Sequence, residues 1–283
     1  QVLADFYRRE MKRLETEREA RITALLAEGI TSPLDLRIET AHFQVELDRL
    51  RDYPRLILET HLYGVDLDPQ AAEIATVNLM MRAMADQQSS QKRLPLILNQ
   101  NIKVGNSLIG VGPADGRTQP LAPQLAQLRA LRLKVAQNPH DPAHNADLKA
   151  IEALSDAMNE TLDGDFAPQF VGVGLEAIRP FHWAVAFPEI FLDEQGQPKG
   201  AAAGFDVVVG NPPWEIVKPD LREYYAQFDD QIESKLTREQ AEKRIAELNA
   251  DPALATGWQA QVARIEAVAA YYKTAPDFKR QGR

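Results

Sequence analysis

Gly204-Phe205-Asp206-Val207-Val208-Val209-Gly210-Asn211-Pro212-Pro213-Trp214 is the stretch that decides the fold class. A continuous β-branched run closed by glycines suits a strand covered on both faces, so Phe205 to Val209 predicts a buried strand of a parallel sheet. Asn211 to Trp214 then falls at the strand's carboxyl end, where open α/β sheets bind ligands. Asn211 offers a side-chain carbonyl acceptor, and the proline after it pushes its backbone toward an extended conformation. The two prolines stiffen the loop and remove two N–H donors. What is left is a fixed group of acceptors beside an aromatic plane. It matches an exocyclic NH2 on a flat ring: the Asn211 side chain and the Pro212 carbonyl each accept one amino hydrogen while Trp214 stacks on the base. The plain alternative is a rigid Asn-Pro turn after a core strand.

Working outward, two more short strands precede this one, His61 to Asp66 and Ile102 to Gly105. Asp68-Pro69 between them supplies a helix cap and a proline at the first helical position, so a helix over Gln70 to about Ala85 is expected. Apolar positions at helical spacing from residue 2 to 28, closed by Gly29, predict a long exposed helix. A linker-like stretch with Ser32-Pro33 and a helix over about His42 to Leu50 follow. Leu125 to Val135 and Leu148 to Met158 read as a helical hairpin inserted between strands, broken at Asn138-Pro139-His140-Asp141-Pro142. From Leu221 onward the pattern is helical, best at Ala241 to Leu248 and Val262 to Tyr272. Strands separated by helices give an α/β fold.

Composition bounds the chemistry. The 283 residues contain no cysteine, which removes disulfides, a thiolate nucleophile and any sulfur-ligated zinc. His42, His61, His140, His144 and His182 show no metal-ligand spacing and read as surface residues, so no metal site is expected. No serine has a nucleophile-elbow context and no phosphate loop is present. No apolar run is long enough to span a bilayer, and a cytoplasmic protein is expected, with no membrane partner. The net charge of −9 argues against a nucleic-acid surface, but residues 217–283 hold eleven basic and eleven acidic residues, so the whole excess lies upstream. Arg129, Arg132 and Lys134 on one helical run could touch phosphates, although such residues more often form a solvated face.

Phe205 to Trp214 resembles the signature of the amino-group class of S-adenosylmethionine-dependent DNA methyltransferases that make N6-methyladenine. Phe181-His182-Trp183, Phe187-Pro188-Glu189-Ile190-Phe191 and Gly204-Phe205-Asp206 look like the large type IIG restriction–modification and phage-defence enzymes of that class. The resemblance implies a partial Rossmann-like class I methyltransferase sheet over residues 1–216, with a helical insertion at about 114–165 and a helical extension over 217–283. It also implies catalytic roles for Asn211, Pro212, Pro213 and Trp214, S-adenosylmethionine as cofactor, and double-stranded DNA with a flipped adenine as partner.

Tyr63-Gly64-Val65-Asp66-Leu67-Asp68-Pro69 is similar to the class's second motif. An acidic residue at a strand end can accept ribose hydroxyls, which makes Asp66, with Leu67 beside it, a cofactor contact and Asp68 the helix cap. Both carboxylates could instead merely cap the helix. Asn106 and Ser107, in Val104-Gly105-Asn106-Ser107-Leu108-Ile109-Gly110, correspond to the third motif, where the class usually has Asp. Asn106 can accept the cofactor's adenine amino group through its oxygen, or the pair can simply stabilise a turn. The Gly-rich first motif is absent: Gly110-Val111-Gly112 and Gly172-Val173-Gly174 both lie downstream of the second motif. The expectation is therefore a central piece of a catalytic domain. It would be inactive and marginally soluble alone, with the cofactor motif upstream in the parent polypeptide and the target-recognition region downstream. RNA or protein-glutamine methylation, and a non-catalytic DNA-binding subunit of the same fold, are the rival readings.

Overall fold

The computed structural model describes residues 2–86, 97, 99–137, 142–210, 218–275 and 278. They form two compact units, residues 1–105 with 133–144, and residues 106–132 with 145–283.

The first unit opens with α1 (Val2–Ala27). It ends at Gly29, whose φ of 87° is the left-handed conformation a helix terminus favours, and the Ile30 amide donates back to the Leu25 carbonyl at 3.0 Å. Ser32-Pro33, expected as linker, instead starts a short helix, α2 (Pro33–Glu39). The Ser32 hydroxyl caps it by accepting from the Asp35 amide, and Pro33 takes the first turn, where its missing N–H is not needed. Next come α3 (Ala41–Arg51) and α4 (Tyr53–Leu56). Tyr7 of α1 stacks on Tyr53 at 6.1 Å and bonds His61 at 2.7 Å, so α1 buries one face and is not exposed all round.

A π-helical turn over Ile57–His61 consumes the front of the expected strand, leaving β1 as Gly64–Asp66. From β1 the chain crosses through α5 (Pro69–Asp86) to β2 (Ile102–Val104), which pairs parallel with β1 in the register Gly64 to Ile102 and Asp66 to Val104. Parallel neighbours need such a crossover, because a tight turn returns the chain antiparallel. α5 turns Ala72, Thr76 and Ala83 inward at spacings of four and seven residues, one helix face, and its alanines pack with Leu58, Ile97 and Ile102. Ile74, Val77 and Met81 on another face stay exposed.

Most of α6 (Ala122–Gln137) and α7 (His144–Asp163) lies in the second unit, at the two segments read as helical. Short helices α8 (Leu175–Ile178), α9 (Trp183–Ala186) and α10 (Pro188–Phe191) follow. The chain closes with α11 (Leu221–Ala226), α12 (Gln231–Ser234), α13 (Arg238–Asn249) and α14 (Pro252–Thr274). A reciprocal Thr237–Gln240 capping box starts α13, and Tyr224, Tyr225, Ile232, Ala241 and Ile245 form the core beneath it.

The expected third strand is corrected. Asp206 to Gly210 is irregular backbone, with Val207, Val208 and Val209 at least 78% exposed. A strand exists through its ladder, and among the described residues the sheet has two strands, neither of which pairs with this run. Among the described residues the fold is a mostly helical α/β arrangement with one small parallel sheet. Residues 216 and 217, where the catalytic core was expected to give way to the helical extension, lie outside the described residues.

Candidate functional site

In the first unit, Asp66 is the last residue of β1, and its carbonyl accepts from the Gly105 amide at 2.8 Å. Its carboxylate Oδ1 accepts from the Asp68 amide at 2.9 Å, and Asp68 Oδ1 in turn accepts from the Gln70 amide at 2.9 Å. These are two consecutive Asx turns with separate tasks: Asp68 caps α5, while Asp66 holds the bend between strand and helix. Asp66 and Leu67 are exposed, so the strand end presents a carboxylate to solvent just before a helix N-terminus. That is an arrangement suited to hydroxyl donors from a sugar.

In the second unit, Asn106 sits where the backbone is pinned to a distant segment. Its amide donates to the Arg179 carbonyl at 2.7 Å, and it forms an isolated parallel bridge with Pro180. The pairing continues. The Phe181 amide donates to the Ile109 carbonyl at 2.7 Å, and the Trp183 amide to the Val111 carbonyl at 3.2 Å. Gly110, at φ 153°, lets the two backbones touch, because a Cβ there would collide with the Phe181 carbonyl. Asn106 Oδ1 accepts from the Leu108 amide at 3.1 Å, so the side chain does stabilise its own turn. A carboxamide oxygen has two lone pairs, and a second donor can still be accepted. Ser107 is exposed, and its carbonyl accepts from the Trp183 indole N–H at 3.2 Å.

Asp66 and Leu67 thus belong to one compact unit, Asn106 and Ser107 to the other. Asn211, Pro212, Pro213 and Trp214 lie outside the described residues. The approach to them is described: Phe205 packs edge-on against Trp183, Phe187 and Phe191, at centroid distances of 6.4, 6.0 and 5.5 Å.

Two side chains differ from their expected surface placement. His182 is 3% exposed. Its Nδ1 accepts from the Val111 amide at 3.1 Å, which leaves the proton on Nε2 to donate to Asp163 Oδ1 at 3.0 Å. Burial holds this imidazole below the ordinary histidine pKa, with Asp163 opposing the shift. Arg132 does not reach for phosphate. Its guanidinium makes a two-point ion pair with Glu189, at 2.8 and 2.7 Å, with side chains only 6% and 12% exposed. In the sequence the Phe-His-Trp block carries part of the family resemblance but gives its side chains no role beyond a surface placement for His182. Its signal was aromatic density in a segment with no regular periodicity.

Among the described residues no group of three or more His, Asp or Glu side chains comes together to hold a metal ion, and no helix is long and apolar enough to cross a membrane.

A family model described as Eco57I restriction-modification methylase matches residues 60–243. No curated protein matches the chain, and no solved structure does.

Proposed function

The chain belongs to the Eco57I restriction-modification methylase family, and from that premise we propose that it methylates the N6 amino group of an adenine turned out of double-stranded DNA. Membership makes it a methyltransferase of the restriction–modification kind. The adenine target, S-adenosylmethionine as donor, and a role in defence against foreign DNA are our reading. One observation carries it: the matched span contains Asn211-Pro212-Pro213-Trp214.

The residues present fit the cofactor in part. Asp66 is an exposed carboxylate at a strand end, and among the described residues its side chain makes one hydrogen bond, to the Asp68 amide. It retains acceptor capacity for ribose hydroxyls. Asn106 would hold the adenine amino group of the cofactor through its oxygen, with Leu67 and Ser107 beside these two contacts. The parallel β1–α5–β2 crossover supports a Rossmann-like core around Asp66. When bound, S-adenosylmethionine supplies an electrophilic methyl group.

The chain's own work is done on the amine. Asn211 and Pro212 each accept one hydrogen of the target NH2, which keeps the nitrogen lone pair from delocalising into the ring, and Pro213 keeps the loop stiff. Trp214 stacks on the extruded base. No strong general base is required, because positioning and hydrogen bonding supply most of the acceleration. Such a substrate places the protein with the DNA, in the cytoplasm.

The test uses the full-length protein with S-adenosylmethionine and unmodified double-stranded DNA, followed by digestion to nucleosides and mass spectrometry. N6-methyladenine is expected from the wild type and is lost in Asn211→Ala with folding intact. Methyl transfer to RNA or to a glutamine side chain instead would change the substrate. Transfer to none of them leaves a DNA-binding subunit without catalysis.

A further inference from the structure

The aromatic block from Phe181 to Phe191 has no part in the chemistry above, yet one of its side chains touches both segments that chemistry uses in the second unit. Trp183 donates its indole N–H to the Ser107 carbonyl at 3.2 Å, immediately beside Asn106. The same ring meets Phe205 edge-on at 6.4 Å, and Phe205 is the anchored start of the run that leads through three exposed valines to Asn211. Phe181 at 5.0 Å and Phe191 at 6.0 Å, both near-perpendicular to the indole, fix its plane. Its backbone is held as well, by the bond from its amide to the Val111 carbonyl.

We propose that Trp183 is a positioning residue that sets the separation between the Asn106–Ser107 turn and the Phe205 anchor. The indole thereby ties the turn that carries Asn106 to the seat of Phe205, which Phe187 and Phe191 also line. The inference rests on the methyltransferase reading above. Trp183 contacts neither ligand in it. Its indole N–H holds one segment and its apolar ring meets the other, a pairing of functions that phenylalanine supplies only in half.

The test compares steady-state methyl transfer by the full-length wild type, Trp183→Phe and Phe205→Leu, with rates normalised to the folded fraction measured by thermal melting. Trp183→Phe keeps a ring against Phe205 and loses the bond to Ser107; Phe205→Leu keeps that bond and weakens the ring contact. If Trp183 sets the register, each variant lowers kcat about tenfold or more, while KM for cofactor and for DNA changes by less than about threefold. Hydrogen exchange at the Ser107 to Ile109 amides accelerates in Trp183→Phe. A kcat at the wild-type value in either folded variant overturns the role, as does a loss that only tracks the unfolded fraction. A wild type that transfers no methyl group to DNA, RNA or protein overturns the underlying reading, and the role with it. That failure is seen before any variant is made.

Discussion

Single residues in this protein are most constrained where two distant backbones meet. Gly110 is the sharpest case, since any Cβ there would enter the Phe181 carbonyl. Gly110→Ala is expected to cost about 1–3 kcal/mol, as overpacking does, read as a lowered melting temperature. An unchanged melt would mean that the two segments do not touch. His182 lies one residue further along the same seam, facing Asp163, Asp165 and Arg117, with its proton on Nε2. A second proton on Nδ1 would oppose the Val111 N–H. Because the folded-state pKa lies below the ordinary value of about 6.5, the unfolded chain takes the proton first. Its contribution is therefore complete above about pH 6.5 and declines as pH falls below it. Wild type should lose more melting temperature than His182→Gln between about pH 7.5 and about pH 5.5, and parallel losses would refute the assignment. The positions of Asp66 at a strand end and of Asn106 in a turn were legible in the sequence, because a polar residue just after a short apolar run is a local signal. The burial of His182 was not, because its partners are 71 and 19 residues away.

Elements were legible where their stop and start signals are local, as at Gly29 and the Asp68-Pro69 opening of α5. α2 was missed because Ser-Pro serves both linkers and helix starts, and only the residues that follow decide between them. The Phe205 to Val209 strand failed for a different reason: β-propensity describes fit to a pleated surface, and no strand among the described residues supplies that surface. Between elements, the Arg132–Glu189 pair joins α6 to α10, and Lys199 adds a bond from its Nζ to the Glu189 carbonyl at 2.7 Å. Removing one member of a buried pair strands the other charge. Arg132→Met alone should cost about 3–5 kcal/mol, while Arg132→Met with Glu189→Leu should recover most of it. Additive losses in the double variant, measured by chemical denaturation, would contradict this account.

At the scale of the whole molecule, the described residues include two exposed apolar surfaces of interest: Ile74, Val77 and Met81 along α5, and Val207 to Val209. Exposed patches of this kind drive association, and the net charge of −9 opposes it. Sedimentation should show a mass that rises with protein concentration and rises further when salt screens the charge. Met81→Lys with Val208→Lys should suppress it. A mass independent of concentration and salt would show that these surfaces are inert. The seam from Asn106 to Val111 against Arg179 to Trp183 has a consequence for how the chain tolerates change in length. It returns the backbone to its starting place after an excursion of about seventy residues through α6 and α7, so the two feet of that excursion are joined whatever lies between them. Doubling a flexible excursion adds only about 0.6 kcal/mol of closure entropy. Lengthening that excursion should therefore disturb the protein less than one methyl group at Gly110.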